Sequence, residues 1–229
     1  MKTIGLIGGT SWVSTQEYYK IINETVKQKL GGGHSAHLIL YSVDFDEFIL
    51  KNRDDWNKIA KSYSNIGKQL EQAGAECLVI CANTLHKVAD EVQKNIKIPI
   101  IHIADVTAEK ILDKGHKKVG LLGTKYTMDE DFYKKRLKDK FNIETIIPDK
   151  KDREIVHNII MDELTNDIIK QSSKKKYIKI INNLVSKAAE GVILGCTEIP
   201  LLINEGDVDI PMYNTTEIHA NAAVDFALS

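Results

Sequence analysis

The sequence predicts an α/β protein with two similar Rossmann-like domains, each built on a parallel sheet. Apolar runs of strand length alternate with amphipathic helical patterns along the 229 residues, as in βαβ units. Several of these runs are apolar at consecutive positions, which is typical of parallel strands covered on both faces. Two short motifs also recur at nearly equal spacing, which indicates two related halves.

The predicted strands are short apolar runs, and helical patterns lie between most of them. The positions are Thr3–Ile7, Leu38–Val43, Cys77–Ala82, Ile98–Ile103, Lys118–Leu122, Glu144–Ile147 and Gly191–Leu194.

The predicted helices have recognisable ends and apolar faces. Ser14 and Glu17 have the spacing of a capping box, and the glycines at 31–33 end that helix. Thr127 and Glu130 repeat the capping-box spacing. An apolar stripe indicates a further helix, and it comprises Trp56, Ile59, Ala60, Tyr63, Ile66 and Leu70.

The repeated motifs lie at the ends of predicted strands. "IGLIGG" at Ile4–Gly9 resembles "VGLLGT" at Val119–Thr124, and "LVICANT" at Leu78–Thr84 resembles "VILGCTE" at Val192–Glu198. Nearly the same number of positions separates the two motifs in each half. Short apolar matches arise easily by chance, so the paired spacing carries more weight than either match.

Composition limits the kinds of partner and the compartment. A formal net charge of −1 and a pI near 6.7 provide no global attraction to nucleic acid or to an anionic membrane. We therefore expect a small neutral or anionic ligand. The N-terminal apolar run is too short for a signal peptide, and no later run reaches membrane-spanning length. The sequence predicts a cytoplasmic protein whose three cysteines are free thiols.

Four predicted strand ends carry glycine, hydroxyl or thiol residues. In open parallel sheets, ligands bind beyond the carboxyl ends of strands, where backbone N–H groups favour carboxylate or phosphate oxygens. Each of these loops is a candidate for holding an anion. They are Gly8–Ser11, Ala82–Thr84, Gly123–Thr124 with Thr127, and Gly195–Glu198.

Other ligand classes fit the residues less well. "GLIGGTSW" lacks the third glycine of a dinucleotide-binding motif, and Asp44 is a poor signal for ribose binding. A zinc site needs a second pair of ligands beside Cys77 and Cys81, and the sequence shows no such pair. We therefore expect no metal. Among the arginines, Arg53 is a candidate partner for a substrate carboxylate.

Cys196 is a more specific candidate for chemistry. It lies where a strand gives way to "TEIPLL", and a thiol near helix N-terminal amides has its pKa lowered toward neutrality. As a thiolate it would act as a base or a nucleophile. The alternative from this residue alone is an ordinary buried cysteine.

Five motifs together resemble the aspartate/glutamate racemase family, the cofactor-independent amino-acid racemases. The motifs are "MKTIGLIGGTSWVSTQEYY", "GGGHSAHLILYSVDF", "CANTLHKVAD", "LLGTKYTMDEDFY" and "LGCTEIPLL". The resemblance keeps motif order and runs nearly end to end. It implies two related α/β domains with an active site in the cleft between them, no cofactor, and often a homodimer. We place the first domain at residues 1–100 with 209–229 and the second at 101–208.

The resemblance also implies a mechanism. Family members remove the Cα proton of aspartate or glutamate with one residue and return a proton to the opposite face with another, usually a cysteine from each domain. Cys196 matches the second of these cysteines, but the first falls on Ala82, which cannot carry a proton. Cys81 is one residue away and should point to the opposite face of its strand unless the strand is bulged.

Three explanations of Ala82 stay open at this point. The protein is a racemase in which Thr84, water or another group serves the second face, or the alanine is an engineered, inactivating change. Alternatively, the chemistry is one-sided, as in the related arylmalonate decarboxylases. A catalytically silent protein that binds acidic amino acids is a further possibility, because fold alone does not fix function.

The expected substrate is a small acidic amino acid. Glu198 is expected to contact the substrate ammonium group or to orient the thiol, and Asn52 or Arg53 to close over the side-chain carboxylate. His86 is expected to steady the turn after its strand. The remaining substrate-binding residues expected from the resemblance are Gly9, Thr10, Ser11, Asn83, Thr84, Thr124, Thr127 and Thr197.

Overall fold

The protein is described by a computed structural model that covers residues 1–52 and 54–229, so Arg53 lies outside the described residues. The chain folds into two compact units. Unit 1 comprises Met1–Ile103 with His219–Ser229, and unit 2 comprises Ala104–Ile218. Each is an α/β unit with one parallel sheet, as the sequence predicts.

The sheet of unit 1 has three parallel strands in the order β2-β1-β3. Every residue of the central strand and of β3 is buried, in keeping with their consecutive apolar residues. The bounds lie within two residues of the predicted strands: β1 is Ile4–Gly8, β2 is Leu38–Ser42 and β3 is Cys77–Ile80.

Helices cover both faces of this sheet. On one face, α1 contributes Tyr18 and Ile22 to an apolar cluster that also contains residues 220–227 of the C-terminal helix. On the other face, α3 contributes Ile59 and Tyr63 to a second cluster. The helices of this unit are α1 (Trp12–Leu30), α2 (Phe45–Phe48), α3 (Trp56–Gln72) and α4 (Ala89–Gln93), with 3-10 turns at Leu50–Asn52 and Thr84–Val88.

The sheet of unit 2 has four parallel strands in the order β5-β4-β6-β7. Its strands are β4 (Lys118–Gly123), β5 (Glu144–Ile146), β6 (Gly191–Gly195) and β7 (Met212–Asn214). The remaining helices are α5 (Ile103–Asp113), α6 (Lys125–Asp129), α7 (Asp131–Phe141), α8 (Lys150–Asp162), α9 (Gln171–Ser186), α10 (Ile199–Leu202) and α11 (Thr215–Leu228), with a 3-10 turn at Leu164–Asn166.

One predicted strand is wrong and one strand was not predicted. The apolar run Ile98–Ile103 makes a single bridge, between Ile100 and Leu78, instead of a strand. Pro99 and Ile101 bond Leu78, and Pro99 has no N–H with which to extend this ladder. The side-chain amide of Gln93 bonds the backbone of Ile98 and Ile100 on the side away from Leu78. The unpredicted strand is β7, which has only three residues and therefore shows no periodicity in the sequence.

The unit boundary after β7 differs from the predicted one. The prediction returns the chain to the first domain at residue 209, whereas unit 1 resumes at His219. Because β7 pairs with β6, residues 212–214 belong to the second sheet.

Both predicted capping boxes are wrong. Helix α1 begins at Trp12, and its N-cap is Ser11, whose hydroxyl accepts a hydrogen bond from the Ser14 N–H. Thr127 lies inside α6, where Thr124 is the N-cap. In each loop the capping position is taken by a serine or threonine three residues before the predicted one, because the helix begins earlier than predicted.

The register of the two sheets matches, which supports the predicted relation between the halves. Gly5 of β1 lies opposite Leu78 of β3, and Gly120 of β4 lies opposite Val192 of β6. In both units the first strand is central, the second pairs on one side and the third on the other. Leu78 and Val192 are therefore equivalent positions.

Membrane spans and metal-binding clusters are both absent from residues 1–52 and 54–229. No helix in that part combines the length and the apolarity needed to cross a membrane. No group of three or more His, Cys, Asp or Glu side chains there is placed to hold a metal ion. All three cysteines are free thiols, as predicted.

Candidate active site

Cys196 lies directly after β6 and forms a buried polar cluster with the two residues that follow it. Its thiol donates a hydrogen bond to Glu198 Oε2 at 2.9 Å, and the Thr197 hydroxyl donates to the same oxygen at 2.9 Å. Glu198 is only 3% exposed, so its carboxylate has little access to water. The cluster brings a proton donor and a proton acceptor into direct contact.

The pKa of the Cys196 thiol is raised well above its usual value, contrary to the expectation from sequence. Burial is the largest cause, followed by the negative charge of Glu198 and the hydrogen bond to it. Backbone N–H groups of Glu198 and Thr197 lower the pKa, but by less. Burial and the Glu198 carboxylate therefore raise the thiol pKa by more than the amides lower it, and the resting group is a neutral thiol.

Replacing Glu198 by glutamine should lower the pKa of the Cys196 thiol. The substitution removes the adjacent negative charge and the carboxylate acceptor, both of which favour the protonated thiol. We expect the alkaline midpoint for alkylation of Cys196 by iodoacetamide to fall by about one pH unit or more. Peptide mass spectrometry after timed labelling across a pH series measures this midpoint.

Glu205→Gln is the matched control, since Glu205 is an exposed carboxylate of the same unit. It should leave the labelling profile of Cys196 unchanged. A midpoint that stays in place or rises in Glu198→Gln would contradict the electrostatic role of Glu198.

Tyr177 is a neighbour of this cluster that the sequence did not reveal. Its ring is fully buried and its hydroxyl donates to the Val156 carbonyl at 3.2 Å. Burial raises the pKa of Tyr177 well above its usual value, and the nearby Glu198 carboxylate raises it further. In the sequence Tyr177 is one apolar position of an amphipathic helix, which gives no sign that it lies near the thiol.

Thr124 and Thr127 lie beside Cys196 at the same end of the sheet. Gly123 pairs with Gly195, so Thr124 and Cys196 are the next residues on neighbouring strands. The two threonine hydroxyls are 3.2 Å apart, and Thr124 accepts a hydrogen bond from the Thr127 N–H. Thr127 is fully buried, so of the two hydroxyl groups only that of Thr124 is partly accessible.

In unit 1 the loop after β1 is held by a threonine that the sequence did not single out. The Gly9 N–H donates to Thr15 Oγ1 at 2.9 Å, and the Thr15 hydroxyl donates to the Ser11 carbonyl at 2.9 Å. Gly9 has a φ of 88°, and Thr10 is 8% exposed. The backbone of this loop is thus fixed by its own contacts.

Replacing Gly9 by alanine should destabilise unit 1. A Cβ at this position would lie 2.1 Å from the Val43 carbonyl oxygen, and the positive φ disfavours any L side chain. We expect the free energy of unfolding to fall by about 2–4 kcal/mol. Urea titration followed by circular dichroism measures the change.

Gly33→Ala is the control for this substitution. Gly33 has open space around it and no positive φ, so alanine there should change stability by less than about 1 kcal/mol. Equal losses in the two variants would show that neither the φ nor the Val43 contact limits position 9.

Ala82 occupies the position in unit 1 that Cys196 occupies in unit 2. It lies four residues beyond Leu78, just as Cys196 lies four residues beyond the equivalent Val192. Cys81 points to the opposite face, where it is fully buried in the apolar cluster with Tyr18. Ala82 contacts a different apolar cluster, and burial raises the pKa of the Cys81 thiol.

His86 fixes the turn that carries Ala82. Its Nε2 accepts a hydrogen bond from the Ile103 N–H at 3.2 Å, so Nδ1 carries the hydrogen and donates to the Ala82 carbonyl at 2.8 Å. The ring of His86 lies 4.7 Å from that of His102 and 5.4 Å from that of His219. Burial lowers the pKa of His219 to about 4, so this histidine is neutral.

The remaining predicted binding residues have different surroundings. Asn83 is 3% exposed, and Thr84 begins the 3-10 turn that follows Ala82. The side-chain amide of Asn52 donates to the carbonyls of Glu47 and Phe48, each at 3.0 Å. Both of its N–H groups are therefore used to cap α2. Arg53 lies outside the described residues, and its expected role stays a prediction.

Proteins similar to this chain in sequence or in fold include amino-acid racemases. A family model described as Asp/Glu/hydantoin racemase matches residues 7–223. The chain belongs to this family. It is 21% identical to the broad specificity amino-acid racemase RacX of Bacillus subtilis, covering 99% of this chain and 98% of RacX.

Two solved structures related to this racemase-family protein extend over its whole length. A putative Asp/Glu racemase from Yersinia pestis is 50% identical with a TM-score of 0.94, and both chains are covered completely. PH1733, an aspartate racemase homologue from Pyrococcus horikoshii, is 41% identical with a TM-score of 0.89 and the same coverage. The two-unit α/β fold described above is therefore the fold of the racemase family.

Proposed function

We propose that this protein racemises acidic amino acids, aspartate or glutamate, without pyridoxal phosphate, by removing and returning the Cα proton. The observation that carries the proposal is the contact between the Cys196 thiol and the buried Glu198 carboxylate. Cys77 and Cys81 lie in an apolar cluster instead, where burial raises their pKa values. Of the three thiols, that of Cys196 is the one hydrogen-bonded to a group that can accept its proton.

The proposed chemistry starts from the neutral thiol. To act as base, Cys196 passes its proton to Glu198, and the resulting thiolate removes the Cα proton and leaves a carbanion stabilised by the substrate carboxylate. The thiol formed in this way then acts as acid and returns a proton to the same face of Cα, which retains the configuration, so inversion needs a second donor on the opposite face. A substrate ammonium group near Glu198 would lower the thiol pKa, because a positive charge favours the thiolate.

Hydroxyl and backbone groups at the strand ends are proposed to hold the substrate. Thr124 and Thr197 lie next to Cys196 in unit 2, whereas Thr127 is a weaker candidate because it is fully buried and its hydroxyl contacts that of Thr124. In unit 1 the corresponding residues are Gly9, Thr10, Ser11, Asn83 and Thr84. Arg53 remains the proposed partner of the side-chain carboxylate, whereas Asn52 is a weaker candidate because its amide caps α2.

The second face of Cα is proposed to be served from the position of Ala82. Alanine carries no proton, so Thr84 or a water molecule would have to donate there, more slowly than a thiol. We therefore expect hydrogen exchange on the Cys196 face to be faster than inversion of configuration. This expectation separates the proposal from a racemase with two equal acid/base groups.

Incubation of each enantiomer of aspartate and glutamate in deuterated water tests the proposal. Proton NMR measures loss of the Cα hydrogen, and chiral chromatography measures inversion in the same samples. We expect exchange with one enantiomer to precede inversion. Absence of both exchange and inversion with all four amino acids, at substrate concentrations where binding is measured, would contradict the racemase proposal.

The same assay distinguishes the second candidate function, which Ala82 favours. Exchange with complete retention of configuration indicates one-sided chemistry, and release of carbon dioxide from an arylmalonate would identify a decarboxylase of the same superfamily. Tight binding of an acidic amino acid without exchange would identify a catalytically silent binding protein.

We also propose that the protein is cytoplasmic and works as a homodimer, with no nucleic acid or membrane partner. The near-neutral charge supports a small-molecule ligand. The family resemblance supports the homodimer.

A further inference from the structure

His157 of α8 contacts the loop that carries Thr124. The Lys125 N–H donates a hydrogen bond to His157 Nδ1 at 3.3 Å. Lys125 directly follows Thr124 and is the first residue of α6, so its N–H has no acceptor within that helix. His157 supplies the acceptor from another helix. The imidazole ring is thus attached to the backbone next to Thr124, whose hydroxyl is partly accessible beside Cys196.

Helix α8 holds α6 at both of its ends. At the first residue of α6 the contact is the hydrogen bond from Lys125 to His157. At the last residue, Asp129 forms an ion pair with Arg153 of α8 at 2.6 Å. Helix α8 is itself fixed in unit 2, because Val156 is fully buried in the apolar core. It therefore provides a rigid support for α6 and for the loop before it.

The hydrogen bond to Lys125 requires the neutral form of His157. Nδ1 accepts only when it carries no proton, so the hydrogen of the neutral ring lies on Nε2. Burial lowers the pKa of His157 below its usual value, and the positive charge of Lys125 lowers it further. The carboxylates of Asp162 and Asp129 raise the pKa, but by less. The acceptor is therefore present at neutral pH and is lost when acid protonates the ring.

We propose that His157 is a positioning residue for Thr124, which makes substrate binding by unit 2 dependent on pH. While the ring is neutral, the loop holds the Thr124 hydroxyl beside Cys196. Protonation places a second donor against the Lys125 N–H and adds a positive charge near the Lys125 ammonium group, so the loop is released. The inference rests on the proposed function, because the substrate that Thr124 would bind is the acidic amino acid proposed above.

The expected effect of protonation is on KM rather than on kcat. Thr124 is proposed to bind the substrate without moving its proton, and loss of such an interaction raises KM with kcat nearly unchanged. One hydrogen bond to a backbone N–H changes an equilibrium constant roughly fivefold. Between about pH 8 and about pH 5, KM for Cα exchange should therefore rise roughly fivefold more in the wild-type protein than in a variant whose acceptor does not titrate.

His157→Asn is that variant, because Oδ1 of asparagine takes the place of Nδ1 and accepts a hydrogen bond at either pH. It should keep the KM of the wild-type protein at neutral pH and lose the additional rise on acidification. His157→Ala removes the acceptor and should have a raised KM at both pH values. His34→Asn is the matched control, since His34 is exposed in unit 1, and it should retain the wild-type pH dependence. Equal ratios of acidic to neutral KM in the wild-type protein and in His157→Asn would overturn the inference.

The backbone amide signal of Lys125 tests the hydrogen bond without substrate or turnover. In proton–nitrogen NMR spectra this signal should shift with the same midpoint as the ring protons of His157 in the wild-type protein, and it should stay in place in His157→Asn. A Lys125 signal that does not follow the titration of His157 would also overturn the inference. If no acidic amino acid is turned over, the racemase proposal fails, and dissociation constants from calorimetry take the place of KM in the same comparison of variants.

Discussion

Replacing Cys196 by serine should reduce Cα hydrogen exchange by about 10²–10⁴-fold. Serine keeps a hydroxyl that donates to Glu198, so the packing of the cluster is nearly preserved. An alcohol ionises far less readily than a thiol, and the base form is therefore lost. Deuterium incorporation into the better substrate enantiomer, measured by NMR at fixed pH, provides the comparison.

Cys81→Ala is the control that separates this effect from the general loss of a thiol. Cys81 lies one residue before Ala82, but it faces an apolar cluster and its thiol stays protonated. Exchange should persist in this variant. Unchanged exchange in Cys196→Ser would remove the thiol from the mechanism, and equal losses in both variants would point to damaged folding, which thermal unfolding would detect.

Much of the fold could be predicted because burial controls which residues the strands contain. Strands β1, β3, β4 and β6 are buried along all or nearly all of their length, and their consecutive apolar residues mark them in the sequence. The three-residue β7 leaves no such pattern, and its assignment depends on pairing with β6. The change of unit at His219 therefore could not be placed from local sequence alone.

The position of the Cys196 thiol at a strand end was predictable, but the direction of its pKa shift was not. The motif "GCTE" places a thiol at a strand end, as the structure does. The direction of its pKa shift depends on where the Glu198 carboxylate lies, and the sequence leaves open whether that side chain turns toward the thiol or toward solvent. The hydrogen bonds of His86 to Ala82 and Ile103 were not predictable either, because no periodic pattern in the sequence links these residues.

Strand geometry alone predicts the orientation of Ala82. Alternation of side chains along β3 predicts that Cys81 and Ala82 face opposite sides, and Cys81 does lie in the cluster opposite to the one Ala82 contacts. The equivalence of Ala82 with Cys196 follows from register once both sheets are known. Substitution of Ala82 tests whether a proton-transfer group at this position changes the reaction.

Replacing Ala82 by threonine should increase the rate of inversion by about 100-fold or more, because a hydroxyl would then stand at the position proposed to serve the second face of Cα. Exchange on the Cys196 face should change much less, since that step does not use residue 82. The ratio of inversion to exchange, measured on the same samples in deuterated water, is the quantity that should rise.

Ala82→Val is the matched control, because valine has the shape of threonine but no exchangeable proton. Ala82 is only partly buried, so both variants should fold, and their similar size gives them similar effects on packing. If valine raises inversion as much as threonine, the gain comes from shape or exclusion of water. If neither variant changes the ratio of inversion to exchange, position 82 does not limit proton transfer to the second face of Cα, and that face is served from elsewhere in the protein. A rise with threonine alone would assign that face to residue 82.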